Sequence, residues 1–338
     1  MKAVFLVKNG AATTAFEMRE TPTPVPTSTQ VLIKVTAFGL NFADVMARHG
    51  MYKEAPPKPC VLGYDVAGIV ISVGASVQNV KPGDEVTAMT RFGGYAEFAV
   101  TESSAVAIIP PGINHATATT LTTQYCTAYY AAIMQVNFRE GDKVLVHAGA
   151  GGVGMALVQL ALHKKCIVFS TAGSEKKLDF LKNLGVQFPI NYVTTDFSKQ
   201  IKKVMGDTGV DVIFDAVGGA SVRKGFNLLG PGGRLVCYGA SQMTGKNLPG
   251  KLAAAIGFGI YHPVMFMMAS KSIIGINMLH IADHKPGIIQ ECLQGVVDLT
   301  TKGILQPYPA TEFPVTEIAA AHEALEKRKS MGKVAVTW

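Results

Sequence analysis

Residues Val144 to Gly154 constrain the fold of this 338-residue chain more than any other stretch. Val144-Leu145-Val146 is an apolar run of the kind that forms a buried parallel strand. It breaks into Gly-x-Gly-x-x-Gly at Gly149, Gly151 and Gly154, with Ala150, Gly152 and Val153 between them. Met155 to Leu162 then reads as a helix. Strand, glycine turn and helix in that order form the setting in which this motif binds a dinucleotide. Gly149 is expected to permit the tight turn and Gly151 to let backbone approach a pyrophosphate. Gly154 is expected to let the helix pack on its strand. The helix N-terminus offers unpaired N–H groups to phosphate charge.

The rest of the chain divides around this unit. Residues 1–122 read as β-rich: Val31–Val35, Val66–Gly74 and Tyr95–Val100 are strand-like, and Lys81-Pro82-Gly83-Asp84 is a turn. Short strands between Gly/Pro turns imply a barrel-like sheet. From about residue 123 helices and strands alternate. The expected order is strand Cys166–Thr171, helix Glu175–Leu184, strand Val186–Tyr192, helix Phe197–Met205, strand Val210–Asp215 and strand Arg234–Gly239. That rhythm predicts an α/β, doubly wound parallel (Rossmann) sheet over residues 123–281. Residues 282–338 hold two helices and a last strand, Lys333–Val336, expected to return to the first domain.

Cofactor choice turns on the end of the second parallel strand. An NAD site places an acid about 20 residues beyond the first glycine, for the ribose hydroxyls. Here the chain reads Ser170-Thr171-Ala172-Gly173-Ser174. The nearest acid, Glu175, falls in a first helical turn, where it serves the helix dipole. Lys176 and Lys177 follow, and a cation there pairs with a 2′-phosphate. The expected cofactor is NADPH. The net charge of +7 is scattered, with no basic tract interleaved with aromatics, so nucleic acid is not an expected partner. Five separated cysteines without a Cys-x-x-Cys pair argue against a disulfide framework or structural zinc. Cys166 and Cys237 are expected as buried strand thiols. The N-terminus enters a strand at once, with no leader expected, and the expected location is cytoplasmic.

Four landmarks then resemble one family. Gly39-Leu40-Asn41-Phe42-Ala43-Asp44 with Gly50-Met51-Tyr52 is similar to an Asn-containing substrate loop. Leu62 to Gly68 is similar to a Gly-x-[Asp/Glu]-x-x-Gly segment, His147 to Gly154 to the fingerprint, and Gly332-Lys333-Val334 to a C-terminal Gly-Lys-Val. Together they resemble the zinc-free quinone oxidoreductase branch of the medium-chain dehydrogenase/reductase superfamily. The texture of Asn41–Asp44, Met46–Arg48, Gly151–Met155 and Phe226–Leu229 resembles its vesicle amine transport protein homologues. The resemblance implies a GroES-like, mainly β catalytic domain formed by residues 1–122 and 282–338. It implies Gly173, Lys177 and Tyr192 around the 2′-phosphate. Tyr238, Gly239 and Ser241 would line the nicotinamide ribose, Lys333 would contact the cofactor, and Asn41 and Tyr52 would be the polar groups of the active site. Asn41 and Tyr64 stand where zinc-dependent relatives place ligands, so no metal is expected.

Without a metal, Asn41 and Tyr52 are left to donate hydrogen bonds to an oxygen that gains charge on hydride transfer. That favours small, apolar, electron-poor substrates: quinones, enones or enoyl thioesters. An alternative is an NADPH-binding protein whose work is lipid or partner binding. Leu252–Ser270 carries no charge, but His262 and Pro263 interrupt it. It is expected as a helix between parallel strands, not an integral membrane span. The sixth parallel strand, Ser272–Met278, would be an apolar edge, and its pairing with a twofold mate predicts a homodimer.

Overall fold

The computed structural model describes residues 1–243 and 248–338. The chain forms two compact units, Met1–Cys126 with Met278–Trp338, and Thr127–Asn277.

In the first unit a seven-stranded sheet is built on the long strand Gln30–Leu40. Its neighbours are Asp65–Val73, Phe98–Glu102 and the last strand Val334–Thr337, all antiparallel to it. The C-terminal strand thus returns to the N-terminal sheet. Val31, Ile33, Val35, Phe38 and Leu40 are buried with Val66, Val70, Val86, Val334 and Val336 in one core. The register sets Gly39 opposite Asp65 on one side and Ala335 on the other. One end of the sheet therefore collects Asn41, just past its strand, Asp65, at the start of its strand, and Lys333, just before its own. A second sheet joins Phe16–Glu20, Lys2–Leu6 and Cys60–Val61. The strand expected from Tyr95 begins only at Phe98, because Tyr95 bonds Leu62 and Val4 outside that ladder.

The second unit holds a six-stranded, wholly parallel sheet. Its order is Phe188–Asn191, Ile167–Ala172, Lys143–Val146, Val210–Asp215, Leu229–Cys237, Ser272–Gly275. This is the doubly wound 3-2-1-4-5-6 arrangement, in which ligands bind at the strands' carboxyl ends. Leu145, Phe169, Ile190, Ile213 and Leu235 fill its core.

Three expectations need correction. The apolar segment Leu252–Ser270 is two helices, Leu248–Gly257 and Pro263–Ala269. Gly257 ends the first, Gly259 takes a left-handed φ of 91°, and His262 Nδ1 accepts the Val264 N–H to start the second. The edge strand stops at Gly275, short of Met278, which opens helix Met278–His284. Cys237 is only half-buried. No helix among the described residues is long and apolar enough to cross a membrane.

Candidate active site

In the second unit, the fingerprint turn joins strand Lys143–Val146 to helix Gly152–His163. The left-handed residue of the turn is Ala148, with φ 55°, not Gly149. Gly149 is needed for packing instead: a Cβ there would lie 1.8 Å from Ser170 Oγ on the next strand. A Cβ at Gly154 would lie 2.3 Å from the Ala148 carbonyl, so the first helical turn rests on the glycine turn itself. At Gly151 the nearest atom to a would-be Cβ is that same carbonyl at 3.2 Å, and the residue is otherwise open. Ala150 and Gly152 are buried and Val153 is half-buried. No acid lies in the helix's first turn to compete with an anion for the free N–H groups. This cradle fits a dinucleotide pyrophosphate.

Gly173 and Tyr192 are brought together: a Cβ on Gly173 would lie 2.5 Å from the Tyr192 hydroxyl. The Tyr192 N–H also donates to the Ala172 carbonyl at 3.1 Å. Lys177 is half-buried in the first turn of helix Glu175–Asn183. Glu175 accepts a hydrogen bond from Asn191 Nδ2 at 2.9 Å. Tyr238 to Ser241 lies flush along Asp215-Ala216. The Tyr238 N–H donates to the Asp215 carbonyl at 3.1 Å, the Ser241 N–H donates to the Ala216 carbonyl at 3.2 Å, and a Cβ on Gly239 would lie 2.8 Å from that oxygen. Asp215, which no sequence motif singled out, holds this corner by accepting the Val217 and Gly218 N–H groups, both at 2.7 Å. His147 is buried beneath the turn, its Nδ1 on Thr171 Oγ1 at 3.1 Å. Burial pushes its imidazole below the usual histidine range, so it is neutral.

In the first unit, Asn41 caps helix Phe42–Arg48, and its backbone N–H donates to Asp44 Oδ2 at 2.7 Å. Its amide Nδ2 donates to Asp65 Oδ2 at 2.5 Å, and its Oδ1 accepts from Lys333 Nζ at 3.0 Å. Lys333 and Asp65 form an ion pair that is completely buried. The other carboxylate oxygen of Asp65 accepts the Thr122 hydroxyl at 2.7 Å and the Thr123 N–H at 2.9 Å. Both threonines lie on a π-helical turn, Leu121–Tyr125, a widening that is common at functional sites. Lys333, expected at the cofactor, is therefore placed with Asn41.

Tyr52 is half-buried and stands edge-on to Tyr64, with ring centroids 6.3 Å apart. Burial raises its phenol, partly offset by the neighbouring Tyr64 hydroxyl, and Asp44 is near enough to raise it further. Tyr52 and Asn41 thus share Asp44 as a neighbour. Burial lifts the Asp44 carboxyl to about 7, opposed by the Asn41 N–H and reinforced by Asp65. Sequence reasoning assigned no role to Asp44 or Asp65, although both lie inside the motifs it quoted. Among the described residues, no three His, Cys, Asp or Glu side chains are grouped to hold a metal ion.

Residues 27–111 match the alcohol dehydrogenase GroES-like domain family, and residues 152–294 match the zinc-binding dehydrogenase family. The human (Homo sapiens) synaptic vesicle membrane protein VAT-1 homolog is 34% identical over 322 residues, 94% of this chain and 81% of that protein. The chain belongs to the medium-chain dehydrogenase/reductase superfamily, together with the VAT-1 homologues. Among solved structures of this superfamily, Escherichia coli quinone oxidoreductase complexed with NADPH superposes with a TM-score of 0.87 at 24% identity, covering 100% of both chains. CurK enoyl reductase superposes at 0.86 and 28%, covering 99% of each. The superfamily's two-part plan accounts for the seven-stranded unit and the parallel unit described above.

Proposed function

We propose that this oxidoreductase is an NADPH-dependent reductase of quinones, or of the related enones and enoyl thioesters. The observation that carries the reading is the Asn41 amide, whose carbonyl is taken by Lys333 and one N–H by Asp65, leaving an N–H to donate. The similarity to a quinone oxidoreductase and to an enoyl reductase supports the same substrate classes. Bound NADPH supplies the hydride. Gly149 to Gly154, with the helix N-terminus, hold the pyrophosphate; Gly173, Lys177 and Tyr192 hold the 2′-phosphate; Tyr238, Gly239 and Ser241 line the nicotinamide ribose. Asn41 and Tyr52 bind the substrate oxygen and stabilise the charge that develops on it. For an enoyl substrate Tyr52 also donates the proton, and its raised phenol keeps that proton at neutral pH.

The test is NADPH oxidation by purified protein with a panel of quinones, enones and 2-enoyl thioesters. Turnover on one of these classes supports the reading. NADPH binding with no turnover on any of them contradicts it and favours the lipid- or partner-binding alternative.

Lys177→Ala should remove most of an NADPH-over-NADH preference of at least about tenfold, the size of one charge-assisted contact. Fluorescence titration with both cofactors reads this, and equal affinities in the unaltered protein would contradict it.

A homodimer is part of the proposal. Among the described residues, strand Ser272–Gly275 ends the parallel sheet with a free edge. The two helices before it and the link between them expose Ile256, Ile260, Val264, Met267 and Met268, Ile260 to 96% and Met268 to 83%. An apolar patch beside an unpaired edge is unusual on a monomer. Light scattering at micromolar concentration should give twice the chain mass; a strictly monomeric mass contradicts it.

A further inference from the structure

The Asn41 amide is gripped by partners of opposite kind. Lys333 Nζ donates to its Oδ1 at 3.0 Å, and Asp65 Oδ2 accepts from its Nδ2 at 2.5 Å. An ammonium only donates and a carboxylate only accepts. An inverted amide would set a carbonyl against a carboxylate and an NH₂ against an ammonium. The amide therefore has one orientation. Both clamping groups are completely buried and bonded to each other. Asp65 is pinned from its other oxygen by Thr122 and Thr123. Gly39 provides the passage for the lysine: a Cβ there would lie 2.2 Å from Lys333 Cε and 2.9 Å from Thr119 Oγ1. The Asn41 main chain is fixed as well, through Asp44. Asn41 itself keeps 6% exposure, whereas its two clamps have none.

We propose that Asp65 and Lys333 are positioning residues that lock the Asn41 amide with its remaining N–H outward, so that the site selects ligands presenting an oxygen acceptor. The inference rests on the reading of Asn41 as a substrate-facing residue. An unlocked amide could turn its carbonyl outward and accept from a hydroxyl. The locked one offers a carbonyl substrate a donor that needs no reorientation during reaction. The ion pair acts through Asn41 and touches no reacting atom.

The experiment follows the Asn41 side-chain amide by NMR in protein labelled with nitrogen-15 asparagine and saturated with NADP⁺. Its signal is identified by its loss in Asn41→Leu. The probe is 1,4-naphthoquinone, which is not turned over without a reductant. In the unaltered protein, one Nδ2 proton should lie far downfield and exchange slowly, and only the other should move on adding the quinone. In the charge-neutral double variant Asp65→Asn with Lys333→Met, that inequivalence should collapse. Its kcat with the quinone should fall about tenfold or more, while KM for NADPH stays within about twofold. Gly39→Ala, which displaces Lys333 without changing a charge, should give the same collapse. Two ordinary, rapidly averaging amide protons in the unaltered protein would overturn the inference, and that arm needs no variant to fold. Turnover of naphthoquinone with no response at Asn41 would also overturn it while leaving the reductase reading intact. A locked, responsive amide without turnover of naphthoquinone or of any other quinone, enone or enoyl thioester supports it and overturns the reductase reading instead.

Discussion

Lys333→Met is expected to destabilise the first unit by about 3–5 kcal/mol, and adding Asp65→Asn should return most of that loss. The single change strips the paired cation from a carboxylate that is completely buried. Breaking a buried pair from one side costs this much because the partner charge is left in a low dielectric. Removing both charges costs far less, since desolvation of the pair offsets most of its attraction. Asp65→Asn also keeps an oxygen for the Thr122 hydroxyl and the Thr123 N–H. The chain supplies its own probe: its single tryptophan, Trp338, lies in this unit with its ring 6.3 Å from Phe38. Urea unfolding followed by Trp338 fluorescence should give a large coupling energy between the two sites. Additive losses would contradict the buried-pair account.

The second large effect is a pH dependence carried by Asp44. Its carboxyl is buried and lifted from 3.8 to about 7 by desolvation. The folded state therefore holds a proton that the unfolded chain releases above about pH 4. Native protein binds the extra proton between those two values, so stability falls as pH rises through that window and levels off above about 7. The titratable groups facing Asp44 are Asp65, Lys333, Tyr95, Tyr64 and Tyr52. Tyr95 bonds His322 at 3.2 Å, and burial holds that imidazole near 3, so it stays neutral throughout the window. Asp44→Asn keeps an oxygen for the Asn41 N–H and puts a donor in place of the buried, unpartnered Asp44 Oδ1. The variant should match the unaltered protein at pH 4 and exceed it by about 2–4 kcal/mol at pH 8. The same Trp338 transition at both pH values measures it. A difference that does not change with pH would show that Asp44 is not titrating there.

The two results share a cause with what was hard to see in the sequence. The helix Phe197–Met205 and the strand Val210–Asp215 fall where apolar periodicity puts them. Their patterns report local burial, which is what periodicity encodes. Asp44, Arg48, Asp65 and Lys333 run against the ordinary expectation that charges face water; all four are buried. Nothing local marks Arg48, Asp65 and Lys333, because their ion-pair partners lie far along the chain, 268 residues away for Asp65 and Lys333. Lys333 was tied to the cofactor by family resemblance; its bond to Asn41, set up by strand register, was not legible. The fingerprint turn was recognisable from its glycines, yet its left-handed residue is Ala148. Gly149 and Gly154 mark close approaches there, and only the folded turn shows which residue carries the positive φ. The break between Leu248–Gly257 and Pro263–Ala269 was signalled by Pro263, but a charge-free segment reads as continuous until its caps are visible.

In the proposed reaction hydride passes from NADPH to an electron-poor carbon, with Tyr52 supplying the proton when the substrate is an enoyl compound. The direct measurement uses NADPH deuterated on the transferable position of the nicotinamide and a 2-enoyl thioester, in ordinary water. The account predicts deuterium on the β-carbon of the product and a solvent-derived proton on the α-carbon. It also predicts that Tyr52→Phe slows this reaction about 10²–10⁴-fold while quinone reduction and NADPH affinity change little. No deuterium transfer to this thioester, together with no NADPH consumption on any quinone or enone, would contradict it.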